Sequence, residues 1–135
     1  MRNLFAFAYF LLLFYIVFLV RRGAGINSRV LNIMPLKNTV RAFQEINNHK
    51  AQYNFYTNLF GNLLLFLPFS FVCMLVFRID SRKTVFYAFF FSLSIELLQY
   101  LLKKGVADVD DIILNVAGAF VGMLVCKKND KAIRS

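Results

Sequence analysis

Four long apolar stretches alternate with short polar ones along this chain. Leu4 to Val20 carry no charge, and Asn58 to Ile79 carry only Arg78, near the end. Thr84 to Leu102 are interrupted by Glu96, Gln99 and a few hydroxyl groups, and Ile112 to Cys126 by a single asparagine. A helix rises 1.5 Å per residue, so about 20 apolar residues match a hydrocarbon core of roughly 30 Å. The pattern predicts an all-α membrane protein: one domain over 1–135, a bundle of four transmembrane helices with spans at about 4–20, 58–79, 84–102 and 109–126. The fourth stretch is short, since fifteen residues from Ile112 rise only about 22 Å. Starting that helix near Asp108 supplies the missing length and places acidic side chains in its first turn, where the helix dipole favours them.

Only the segment between the first two spans is sizeable. Within it Leu36, Val40, Phe43 and Ile46 recur at helical spacing with Lys37, Arg41, Gln44 and Glu45 between them, which predicts a short interfacial helix in this first loop. The first span resembles a secretory signal in its leading Arg2, but its apolar core is too long for one and Arg21-Arg22 follow it directly, so it is expected to be retained.

A mean hydropathy of +0.60 and seventeen phenylalanines agree with a membrane protein. The formal net charge is +9, yet the cations are scattered among segments flanking the spans, which points to anionic lipid headgroups and away from nucleic acid. Four spans put both termini on one side. Each side carries eight Lys and Arg, more densely placed on the terminal side, so the positive-inside tendency predicts cytoplasmic termini in a multi-pass cell-membrane protein. Cys73 and Cys126 lie in or at the end of spans without metal or disulfide spacing, and His49 is the only histidine. Phosphate-binding glycine loops, H-E-x-x-H and G-x-S-x-G are absent from the sequence.

The acidic residues are the exception that needs explaining. Of seven, three stand in Asp108-Val109-Asp110-Asp111, and Glu96 lies within the third span. Ionisable groups at membrane depth are costly and mark functional sites by default. Ser92, Glu96, Gln99 and Lys103 follow helical spacing on the third span; Asp108, Asp111, Asn115, Gly118 and Gly122 do so on the fourth. Asn54, Asn58 and Asn62 line the second. Alternating span directions bring Asn58, Asn62, Gln99, Lys103, Lys104, Asp108, Asp111 and Asn115 to one end of the bundle. Gly118 and Gly122 form a small-xxx-small pair for close helix approach, within the bundle or between copies in a homo-oligomer.

These residues resemble the VanZ-like family of small bacterial membrane proteins. Asn32-Ile33-Met34-Pro35-Leu36 is similar to its N-x-x-P-F segment, with Leu36 in place of Phe, and Asn62 to Phe69 to its N-x-x-x-F-x-P stretch. Ser94-Ile95-Glu96-Leu97-Leu98-Gln99, Asp108 to Asp111, Asn115 and Gly118 resemble S-x-E-x-x-Q followed by D-x-D-D-x-x-x-N-x-x-G. The family often has Arg before the acidic run, where Lys104 and Gly105 stand here, replacing a bidentate contact by a point charge. The resemblance implies a link to cell-envelope homeostasis or to resistance against the glycopeptide teicoplanin, with no established reaction.

Three functions fit the residues. A polar intramembrane site can bind or modify an anionic lipid-linked group, such as a cell-wall precursor, or the glycopeptide itself. Glu96 and Asp111 are then the candidate catalytic groups, Asn62, Gln99, Lys104, Asp108, Asp110 and Asn115 the candidate binding groups, and Asp110 with Asp111 the candidate ligands of a divalent cation. In the second, the same polar groups only join helices or a protein partner. The third, a proton-coupled transporter subunit, draws on the intramembrane Glu96.

Overall fold

The computed structural model describes residues 1–20, 30–35, 40, 43–44, 49–103 and 106–134. Helix α1 runs Arg2–Tyr15 and widens into a π-helical turn at Ile16–Val20. A short strand β1, Val30–Asn32, follows. Helix α2, His49–Phe71, also ends in a π-helical turn, Val72–Val76. Then come α3, Ser81–Leu101, strand β2, Val106–Asp108, and α4, Val109–Arg134. Four helical stretches are long and apolar enough to cross a membrane: Arg2–Val20, Gln52–Val76, Ser81–Leu101 and Val109–Lys128. The protein is therefore an all-α membrane bundle, as its hydropathy pattern predicts.

Helix starts follow local chemistry. Asp80 caps α3, its carboxylate accepting the Arg82 backbone N–H at 2.9 Å; that bond holds the exposed Asp80 carboxyl below the usual carboxylate range. Lys103, with φ of 54°, turns the chain out of α3 in a left-handed conformation.

The hydrophobic core is built chiefly from α1 and α2, with Ala88 and Ile95 of α3 and Ala119 of α4, while the most extensive helix pairing is that of α2 with α4. Glycine makes this approach close. A Cβ at Gly118 would strike the backbone of α2 at the Leu63 carbonyl oxygen, and one at Gly122 would strike that of Leu67. Ser70 reaches across the same seam and donates to the Ala119 carbonyl at 2.5 Å. The small-xxx-small pair is thus occupied by the chain's own helix.

Helix α1 is held by polar contacts and an aromatic cluster, and at its start Arg2 donates to the Val76 carbonyl at 3.2 Å. Pro68, inside α2, lacks the N–H that would reach the Leu64 carbonyl, and beside that gap Tyr9 donates its hydroxyl to the Leu65 carbonyl at 2.8 Å. Gln99 of α3 donates to the Val17 carbonyl at 3.3 Å, in the widened turn of α1. Phe10 meets Phe69 and Phe91 edge-on, and those two rings stack at 5.5 Å. Since lipid tails are as apolar as these side chains, such packing and hydrogen bonds hold the bundle together.

The departure from helix is a parallel strand pair, with Val30 opposite Val106, Leu31 opposite Ala107 and Asn32 opposite Asp108. It brings the loop after α1 to the head of α4. Of the amphipathic segment expected over 36–46, Val40, Phe43 and Gln44 are helical and exposed. Leu36, Lys37, Arg41, Glu45 and Ile46, together with Arg21, Arg22, Lys104 and Gly105, lie outside the described residues.

Candidate functional site

The acidic run is first of all a helix start. The leading N–H groups of α4 have no partner within the helix, and Asp108, at the N-cap, accepts the Asp110 N–H on Oδ1 at 3.0 Å. In a capping box the third helical residue returns the favour by accepting the N-cap N–H. Here that residue is Asp111, and its Oδ1 is instead turned to α2, accepting from Asn62 Nδ2 at 2.7 Å. Glu96 of α3 takes its place: Glu96 Oε2 accepts the Asp108 N–H at 2.9 Å. Asn32 completes the ring from β1, donating Nδ2 to Asp108 Oδ1 at 2.8 Å. Four elements meet at this one cap.

These groups are deeply placed. Asp110 and Asn62 are each 1% exposed, Glu96 5% and Asp108 8%. Four carboxylates within one turn of a helix N-terminus have the favourable sign with respect to the dipole. Asn62 also lies 3.3 Å from Asn58 Oδ1, so the asparagine ladder of α2 leads into the site as its spacing predicts.

One turn further into α4, Asn115 donates to Ser92 Oγ at 2.8 Å, joining α4 to α3. Its own Oδ1 is buried and has no hydrogen-bond partner among the described residues.

The structure gathers most of the residues singled out from the sequence. Glu96, Asp108, Asp110, Asp111 and Asn62 converge, with Asn115 below them. Gln99 is directed to α1. Lys103 leaves the α3 stripe because its left-handed backbone follows the helix end, and its side chain is exposed; Lys104 lies outside the described residues. Two contributors are added, Asn32 and Ser92. Ser92 stands on the predicted stripe, whereas Asn32 is 76 positions from its acceptor and only its place in the N-x-x-P segment pointed to it. Among the described residues no three His, Cys, Asp or Glu side chains are arranged so as to hold a metal ion together. A cation at Asp110 and Asp111 thus finds no third ligand of these types there.

A groove of about 380 Å³ opens beside the cap, within the size range of small-molecule sites. Its walls are Leu31 and Ile33 from β1, Leu93 and Leu97 from α3, and Val109 and Ile112 from α4; its polar groups are Asn32, Glu96, Asp108 and Tyr100.

The family model VanZ/LLP1 matches residues 5–132. The chain belongs to the VanZ-like family. No curated protein and no solved structure matches it. As a VanZ-type membrane protein it carries its family-like segments on four separate elements, and the fold brings one residue of each, Asn32, Asn62, Glu96 and Asp108, to a single site. The VanZ/LLP1 match covers that site, the last three membrane helices and the first from its fourth residue on.

Proposed function

We propose that this VanZ-type protein serves the bacterial cell envelope by binding a lipid-linked molecule, a cell-wall precursor or an acylated glycopeptide such as teicoplanin, at the site formed by Glu96, Asp108 and Asn32. The observation that carries this reading is the groove: apolar walls meet buried carboxylates at one end, as an amphiphile requires. Binding is favoured over chemistry because Glu96 and Asp111 each direct an oxygen to a neighbouring element, Glu96 to the Asp108 N–H and Asp111 to Asn62. Denser cations on the terminal side support cytoplasmic termini, which place the groove on the outer face of the membrane, where envelope precursors and glycopeptides are met.

The test is a deletion strain complemented with wild type, Leu97→Trp, Glu96→Gln or Asp111→Asn, assayed against acylated and plain glycopeptides. Leu97 is 55% exposed, so an indole there narrows the groove without entering the core. Loss of protection against the acylated drug at normal membrane levels is expected for Leu97→Trp and Glu96→Gln. Unchanged susceptibility in all variants would sink the proposal.

A second reading, helix attachment without ligand, is favoured by the Asn62–Asp111 and Asn115–Ser92 bonds, which join α2 to α4 and α4 to α3. It predicts that Glu96→Gln, which keeps an acceptor for the Asp108 N–H, is silent in the same assay.

A further inference from the structure

We infer that the end of the bundle opposite the groove, where α1 begins and α2 ends, holds the phosphate of an anionic phospholipid between Arg2 and Arg78. This site is separate from the one proposed above and does not depend on it. Four observations lead to it.

The two helix ends are tied together by a cation. Val76 closes the π-helical turn of α2, so its carbonyl is among the last of that helix, which lack an intrahelical partner. Arg2 donates to it from Nη2 at 3.2 Å. A guanidinium carries five N–H donors in a rigid fork, and one of them fixes the group here. Arg78 follows two residues after Val76, a chain advance of at most about 7 Å. Two guanidiniums therefore stand at one helix junction, and each matches a phosphate with paired N–H groups.

The backbone at Arg78 is unusual. Its φ of 55° lies in the left-handed region, which glycine enters without penalty and other residues do not. Such conformations cluster where the side chain has a use, and here the side chain is an exposed cation.

Both residues stand at headgroup depth. The first membrane-crossing stretch begins at Arg2, and the second ends at Val76. Apolar side chains nearby remain uncovered. Phe5, one turn along the face of α1 that carries Arg2, is 56% exposed, and Leu75 and Phe77, either side of Val76, are 57% and 52% exposed. A phospholipid with its phosphate at Arg2 and Arg78 lays its acyl chains on this surface, which a free phosphate would leave unused.

The charge at this end keeps its sign whatever the pairing. Arg2, Arg78, Arg82, Lys83, Lys127, Lys128, Lys131 and Arg134 belong to it, against Asp80 and Asp130. Asp80 caps α3 and lies near Arg82. With both acids fully paired, six cations still face the headgroups. Basic sites between membrane helices bind anionic phospholipid headgroups in this way.

The experiment uses the full chain in neutral detergent, examined by native mass spectrometry with phosphatidylglycerol and phosphatidylcholine of identical acyl chains. Phosphatidylglycerol is expected to be retained about twenty-five-fold more tightly, the ratio that two surface cations supply. Arg2→Gln and Arg78→Gly should each cut that ratio about fivefold. Glycine suits the left-handed turn, so lost preference in Arg78→Gly is not lost folding. The control is Lys127→Gln with Lys128→Gln, which removes two charges from the same end; it should change the ratio by less than about twofold, since screening weakens distant charges. Three results would overturn the site: equal retention of both lipids by wild type, a ratio unmoved in Arg2→Gln and Arg78→Gly, or a loss in the lysine pair as large as in either arginine variant, which would make the attraction diffuse. If Arg2→Gln cannot be purified, Arg78→Gly and the lysine pair decide the question.

Discussion

Replacing Gly118 by alanine tests the seam between α2 and α4. In an isolated helix interior the change is favourable, by about 1 kcal/mol. Here the new methyl would meet the Leu63 carbonyl oxygen, with the Leu63 Cα at 2.9 Å and its carbonyl carbon at 3.0 Å. Those atoms are backbone and have no rotamer to retreat into, so the helices must separate or shift in register. Overpacking of this kind costs about 1–3 kcal/mol. Subtracting the propensity gain leaves a net destabilisation of up to about 2 kcal/mol. The assay is the unfolding midpoint on titrating purified protein from mild detergent into SDS. Val121→Ala, at a 44% exposed position on the same helix, serves as the control and should shift the midpoint little. A Gly118→Ala protein more stable than wild type would refute the reasoning, because the propensity term would then be acting unopposed.

Two further outcomes follow from the polar contacts. A double-mutant cycle of Ser92→Ala and Asn115→Ala in the same SDS titration should give a coupling of about 0.6 kcal/mol, typical of interhelical hydrogen bonds in membranes; zero coupling would mean that the bond at 2.8 Å does not form. Asp80→Asn preserves the α3 cap without its titration. Because the folded carboxyl is held below its ordinary range by the Arg82 N–H, its contribution is present above the unfolded value and is lost as pH falls through the folded one. The stability gap between wild type and Asp80→Asn should therefore close on acidification from pH 7; a gap independent of pH would contradict the cap.

Much of the architecture is legible because its signals are local. Charge-free runs mark the helices, and 3.6-residue spacing places Asn58 with Asn62, Ser92 with Glu96, and Asp111 with Asn115 on the faces that meet. The start of α4 is readable too, from the length the fourth span lacks and from an Asp in N-cap position. What escapes the pattern is long-range. Three-residue strands have no periodicity to detect, so nothing in Val30–Asn32 foretells its partner at Val106–Asp108. Periodicity likewise carries Lys103 onto the α3 stripe, since a left-handed turn at a lysine leaves no glycine or proline to announce it. The exchange of capping partners, Glu96 serving Asp108 while Asp111 serves Asn62, depends on three helices at once.

The parallel strand pair also has a meaning for biosynthesis. Asn32 leaves the ribosome 76 residues ahead of Asp108, with two membrane helices, α2 and α3, made between them. During most of translation β1 waits without its partner, and the head of α4 must pass into place carrying three carboxylates before Glu96 and Asn32 can receive it. The groove therefore cannot close before the head of α4 has been made. A chain interrupted before Asp108 would hold three membrane helices and no groove, because Ala107, Asp108, Val109 and Ile112 form one of its walls.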